Sequence, residues 1–188
     1  MTCGGEVTYF FEVYKPSEVW KIAIFGAGHI SQELTRILLT MDCQLTVIDP
    51  RAEWLNKLPD SPRLTKLERT DLVPEIELLD EKTFVAIVTM GHATDYPLVK
   101  RALEKRNFPY LGVIGSKVKR IKINADLIES GLSPDRVKEF FCPMGEPIGR
   151  NTPPEIAISI AAQMLKVRDQ VFASEDQSAD RTTDLSAD

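Results

Sequence analysis

The chain has 188 residues, a net charge of -5, 43% hydrophobic and 27% charged residues. That length carries one domain with a full core, and the acidic balance argues against a broad phosphate-tracking surface for nucleic acid. No apolar run reaches the roughly 20 residues needed to cross a bilayer, and no basic-then-apolar leader opens the chain. Three widely spaced cysteines (Cys3, Cys43, Cys142) and only two histidines suit reduced thiols in the cytoplasm and argue against a structural zinc site.

In chain order, residues 6–14 (EVTYFFEVY) are rich in aromatic and β-branched side chains and read as a strand, ended by Pro16. Residues 20–25 (WKIAIF) form a continuous apolar run, the pattern of a strand covered on both faces. From Ile30 the period changes, because Ile30, Leu34, Ile37, Leu38 and Met41 share one helical face. Residues 43–49 (CQLTVID) form the next strand, opened by Cys43 as a core residue. A short strand over 63–67 and a short helical turn over 72–79 follow. Residues 83–90 (TFVAIVTM) read as a buried strand, and Thr94 as the cap of a helix reaching Arg106, with Leu98, Val99, Ala102 and Leu103 inward.

Residues 110–115 (YLGVIG) give another strand, and the helix after it closes at Gly131. The last helix, 152–165, has Thr152 as cap, Pro153 at its first position and Glu155 completing a capping box. Residues 1–172 are expected to form one domain, and 173–188, with a single late leucine, a disordered acidic tail. Strands alternating with helices predict an α/β fold: a doubly wound, mostly parallel, Rossmann-like sheet with an extra N-terminal strand. Right-handed crossovers then bring the turns after Phe25, Asp49, Met90 and Ile114 to the carboxyl ends of the strands, where such folds bind ligands.

The turn IFGAGHIS concentrates the chemistry. Gly26 permits a tight turn, Gly28 lets the backbone approach a pyrophosphate, and Ser31 is small enough for the third glycine position. The acid expected about 20 residues on, to hold a ribose hydroxyl, is Asp49. Arg51 suits a 2′-phosphate that Asp49 would repel, so NAD, NADP and other nucleotides stay open. His29 and Ile30 begin the helix beside the turn, where His29 is either a phosphate or pterin donor or a half-exposed capping residue. His92, with Asp95 three residues on, is either a ligand contact at the end of a central strand or an ordinary loop histidine. Gly115, Ser116 and Lys117, with Lys119 and Arg120 behind them, form a second strand-to-helix turn suited to a phosphate or to a solvated basic face. Gly149 and Arg150 precede the Thr152 cap, where Glu155 favours a structural role over an anion site. Cys3 and Cys142 stand in open settings as ordinary thiols or soft ligands.

The segments CGGEV, IFGAGHIS, VIDPR, TMGHATD, YLGVIGS and GRNTPPEIAISIAAQ occur here in the order found in the XdhC/CoxI family, and from Cys3 to Leu165 the chain resembles the Rossmann half of a xanthine dehydrogenase accessory protein. The resemblance implies a cofactor-binding accessory role and no catalytic residues. Such proteins bind molybdenum cofactor, protect it and deliver it in sulfurated form to a molybdenum hydroxylase such as xanthine dehydrogenase, commonly as homodimers. The residues read above as candidates to hold such a cofactor are Gly26, Gly28, His29, Ile30, Asp49, Arg51, His92, Gly115, Ser116 and Lys117, and no metal site is expected. Longer relatives carry a domain before the CGG motif. This chain begins almost at that motif, so the aromatic strand 6–14 is expected to be covered in a homodimer or by a separate protein. An NAD(P)-dependent oxidoreductase and a nucleotide-sensing domain are the other readings of the same glycine turn. No distinct substrate domain and no tyrosine-lysine pair supports the oxidoreductase.

Overall fold

The computed structural model describes residues 19–183, with side-chain surroundings to Ala173. The strand expected at 6–14 and Cys3 lie outside the described residues. Five strands form one sheet, β1 (Trp20–Phe25), β2 (Cys43–Asp49), β3 (Leu64–Glu68), β4 (Phe84–Ile87) and β5 (Tyr110–Val113). Their spatial order is β3-β2-β1-β4-β5, and every pairing is parallel. This is the Rossmann order, in which crossovers run to both sides from β1.

Successive strand residues point to opposite faces, and both faces are covered. Ile22, Ile24, Leu45, Val47, Phe84 and Ala86 face α1 (His29–Leu38) and α6 (Pro153–Thr183). Ala23, Phe25, Val85, Ile87, Leu111 and Val113 face α3 (Val73–Leu78), α4 (His92–Lys105) and α5 (Lys117–Glu129). That double covering is why the strands read as unbroken apolar runs. The short α2 (Ala52–Leu55) had no sequence signal, since four residues hold too little periodicity. Beside β5, Phe141 makes a parallel bridge with Gly112, donating its N–H to Leu111 and accepting from Val113, both at 2.8 Å. The position of a sixth strand is thus held by one bridge.

Several boundaries differ from expectation. The helix assigned to a Thr94 cap starts earlier, at His92, because the Gly91 carbonyl accepts from the amides of Thr94 and Asp95 at 3.1 and 2.9 Å. Thr94 lies inside the first turn. Helix α6 runs to Thr183, past residue 173, where the sequence suggested a tail. Its start agrees with the capping reading: Glu155 accepts from the amides of Arg150 at 2.8 Å and Thr152 at 3.3 Å, so a carboxylate of the chain itself fills that helix end. No described helix is long and apolar enough to cross a membrane.

The Ser116 hydroxyl accepts from the Lys119 amide at 3.2 Å and caps α5. Ser116→Ala removes that acceptor and is expected to cost about 1 kcal/mol of stability. Urea unfolding of both proteins checks this, and an unchanged midpoint would show that the cap contributes nothing.

Candidate functional site

The crossovers from β1 and β4 leave toward opposite faces, so the crevice between their carboxyl ends is the topological switch point. Gly26 and Gly28 on one side and Met90, Gly91 and His92 on the other form its rims. The two glycines of the first turn differ in kind. Gly26 has φ +106°, and a Cβ there would sit 2.3 Å from the Val88 carbonyl oxygen, so it is required by the joint between β1 and β4. Gly28 has φ -67°, and a Cβ there would meet nothing within 4 Å. Open space thus lies over Gly28, as it does over Gly91.

Helix α1 starts at this open space. Its first turn carries no acidic residue and its N-cap, Gly28, supplies no side-chain acceptor. The amides of His29, Ile30 and Ser31 have no carbonyl upstream in the helix to donate to, and they add to the positive end of the dipole. Ser31 itself is fully buried, in keeping with the small residue needed for close packing there.

Asp49 is held differently from the expected ribose acid. It is 1% exposed and accepts four hydrogen bonds from the chain. One oxygen takes the Ala27 amide at 2.7 Å and Arg51 Nη2 at 2.8 Å. The other takes the Arg51 amide at 2.9 Å and Arg51 Nε at 2.8 Å. Burial works to raise its pKa, yet the Arg51 side chain and the Ala27 and Arg51 amides prevail and hold it below the usual carboxylate value. In this arrangement Asp49 clasps the glycine turn to the end of β2. Arg51 extends the clasp, reaching Met90 Sδ at 3.5 Å, so its guanidinium spans the end of β1. The same guanidinium lies 5.1 Å from the Trp54 ring, and His29 meets that ring edge-on at 4.9 Å. Trp54 escaped the sequence reading because it lies on the unrecognised α2.

His92 does not pair with Asp95, the partner nearest in sequence. Its Nε2 lies 2.7 Å from Asp126 on α5, and its ring stacks on Tyr96 at 5.9 Å. Asp95 is fully buried, bonds the Thr89 hydroxyl at 2.5 Å and forms an ion pair with Lys119. Lys119 also donates to the Ile114 carbonyl at 2.8 Å. This lysine therefore ties β4, α4 and the Gly115 turn together and is not a free cation. Arg120 turns inward in the same way, donating to the carbonyls of Val137, Lys138 and Phe140. Of the basic residues at this turn, Lys117 alone stays fully outward. Cys43 is core, 1% exposed, with its thiol on the Leu38 carbonyl at 3.1 Å. Cys142 is half-buried, and burial raises its thiol pKa despite Lys119 and Arg120 nearby, which disfavours a thiolate.

A groove of about 770 Å³ lies at the opposite end of the sheet, lined by Val19, Lys21, Leu79, Asp80 and Arg106 among others. Its charges are paired within the chain, Lys21 with Asp80 at 2.7 Å and Arg106 with Glu81 at 3.1 Å. It lies at the amino ends of the strands, away from the open glycines and the free amides of α1.

The profile of the XdhC Rossmann domain matches residues 22–164. The chain belongs to this family. Among curated relatives, it is 28% identical over 168 residues to the uncharacterized protein YqeB of Escherichia coli, covering 88% of this chain and 30% of YqeB. It is 24% identical over 155 residues to a probable xanthine dehydrogenase subunit of Bacillus subtilis, covering 80% of this chain and 44% of that protein. A crystal structure described as a xanthine dehydrogenase from Bacillus halodurans superposes with a TM-score of 0.65 at 25% identity, over 81% of this chain and 43% of the other. The chain thus spans less than half the length of each of these proteins. Family membership agrees with the Rossmann-like α/β architecture.

Proposed function

We propose that this XdhC domain is an accessory protein of a molybdenum hydroxylase of the xanthine dehydrogenase type, and that its switch-point crevice takes the phosphate-bearing part of molybdenum cofactor or a related nucleotide. The observation that carries the reading is the open space over Gly28 at the uncapped, acid-free start of α1. The names of the Bacillus relatives support the xanthine dehydrogenase connection. The donors fit a phosphate: the amides of His29, Ile30 and Ser31 stand at the crevice, with the exposed His29 side chain beside them. These donors suit the phosphate of the pterin or of a nucleotide. When bound, the cofactor itself supplies the metal and sulfur chemistry. The chain holds and shields it. Asp49 would act through the turn it clasps, because its carboxylate is already satisfied.

The test is the full chain purified from a host that makes molybdenum cofactor, followed by the absorbance and mass of whatever copurifies. A pterin and molybdenum are expected together. Gly28→Val should lose both while staying folded, with only the small loss of stability of a poorer helix cap, because a Cβ there meets nothing within 4 Å and the side chain stands in the phosphate's place. Calorimetry with the released cofactor checks the affinity directly. Retention of a nicotinamide nucleotide in place of a pterin, or equal retention by Gly28→Val, would overturn the reading.

A further inference from the structure

Trp54 gathers more charge around its ring than packing requires. It sits on α2, half-buried, and packs in part against the core. Arg51 Cζ stands 5.1 Å and Lys57 Nζ 4.1 Å from the ring centroid, and His29 meets the ring edge-on at 4.9 Å. An aromatic face that holds cations is an electron-rich flat surface, and a heterocyclic base stacks on the same kind of surface. The two cations are held unequally. Arg51 is fixed by Asp49. Lys57 is exposed, and its ammonium has no carboxylate or carbonyl partner among the described residues, so the ring alone keeps it in place. Its flexible stem can swing into water and leave the ring to a ligand.

The ring adjoins the crevice. His29 is the first residue of α1, so its amide belongs to the row of donors next to Gly28, while its side chain touches Trp54. One histidine side chain thus bridges the phosphate's place and the tryptophan, and a ribose bridges a 5′-phosphate and its base in the same way. The charges argue against a second phosphate here. Arg51 Nε and Nη2 are bound to Asp49, and Nη1 reaches Met90 Sδ. No bidentate fork is left for a ribose 2′-phosphate, and the Asp49 carboxylate behind the guanidinium repels one. Lys57 is the remaining cation, and the exposed Glu53 on α2 offsets it. What this cluster offers a ligand is a flat face and not a charge.

We infer that Trp54 is the base-stacking platform of this site, and that its ligand carries a nucleoside 5′-phosphate, free or as one half of a dinucleotide, with no phosphate on the ribose 2′-hydroxyl. The inference rests on the reading of the Gly28 crevice as a phosphate site, and it narrows the ligand to one that bears a nucleotide. With the 5′-phosphate at the amides of His29, Ile30 and Ser31, the base lies on Trp54 in the place of the Lys57 ammonium.

Titration of the full chain with 5′-AMP, 5′-GMP, 5′-CMP, ribose 5-phosphate and adenosine 2′,5′-bisphosphate tests it, by calorimetry and by tryptophan fluorescence. The other tryptophan, Trp20, is buried at the amino end of β1, so quenching reports on Trp54. At least one of the three nucleotides is expected to quench and to bind about tenfold more tightly than ribose 5-phosphate, which should bind without quenching. Trp54→Leu should bring the nucleotides down to the affinity of ribose 5-phosphate and leave ribose 5-phosphate itself unchanged, which also shows that the variant is folded. Trp54→Phe should keep most of the preference, and the 2′-phosphate should add nothing. Nucleotides and ribose 5-phosphate that bind alike, with both lost in Gly28→Val, overturn the inference and leave the phosphate site standing. So does a Trp54→Leu protein that keeps the preference, or one that loses ribose 5-phosphate equally, as a merely structural tryptophan would. A bisphosphate that binds about tenfold more tightly than 5′-AMP overturns the part that excludes a 2′-phosphate. No binding of any of the five compounds, or binding that Gly28→Val leaves unchanged, overturns the crevice reading and this inference with it.

Discussion

Gly26→Ala is expected to lower stability by about 3–5 kcal/mol, a large part of the margin of an ordinary domain. Two costs add. The backbone is at φ +106°, where any side chain is strained by about 1–2 kcal/mol. The new Cβ would also lie 2.3 Å from the Val88 oxygen and 2.8 Å from its carbonyl carbon. Both are backbone atoms of the central sheet, so no side chain can rotate away. Val88 donates to Phe25 at 2.8 Å, and Gly26 donates to Ile48 at 2.8 Å, so a shift at Gly26 disturbs three strands at once. Gly28→Ala, two residues on, should cost less than about 1 kcal/mol, mainly from a poorer helix cap. Thermal and urea unfolding of the pair give the comparison. Equal stabilities would mean that the turn does not press on Val88. The contrast also separates the two glycines by role: one makes the turn, the other leaves room above it.

That separation was only partly legible in the sequence. The strands and α1 could be read locally, because apolar runs and a helical period are properties of neighbouring residues. Gly26 and Gly28 could be placed at the site for the same reason. What could not be read was which acid meets which base. Asp95 stands three residues from His92, yet its carboxylate turns inward to Thr89 and Lys119, while His92 reaches Asp126, 34 positions away, because α4 and α5 lie side by side. Lys119 and Arg120 looked like free cations until their partners across the fold were seen. Trp54 beside His29 had no local signature at all.

Asp49→Asn is the second large effect, and it separates a structural acid from a ligand acid. The spacing from the glycine turn predicts a ribose partner, whose loss weakens binding and leaves the fold intact. The geometry predicts the reverse order of effects. Both carboxylate oxygens accept two hydrogen bonds each, and an asparagine turns an NH2 toward donors on one side. Removing one partner of a buried pair costs about 3–5 kcal/mol, and Arg51, 29% exposed, recovers some of that by moving into water, leaving about 2–4 kcal/mol. The pH dependence carries the same signature. The folded-state pKa of Asp49 is depressed below its ordinary 3.8, so its contribution is fully present above that value and is lost as pH falls through the folded pKa. Acid unfolding of the parent should therefore steepen below about pH 4, and the Asp49→Asn protein should lose that part of the slope. If Asp49→Asn instead unfolds like the parent at neutral pH and shows the same acid limb, the clasp contributes nothing and the carboxylate is free for a ligand. If it is destabilised as expected, any loss of nucleotide binding follows from a displaced Ala27 amide and a loosened glycine turn. Arg51→Ala then distinguishes the two routes to binding. It removes the side-chain half of the clasp but leaves the Ala27 bond, so stability should fall by less than in Asp49→Asn. The freed carboxylate would then be open to a ribose hydroxyl, and affinity for a ribose-bearing ligand should not fall with stability.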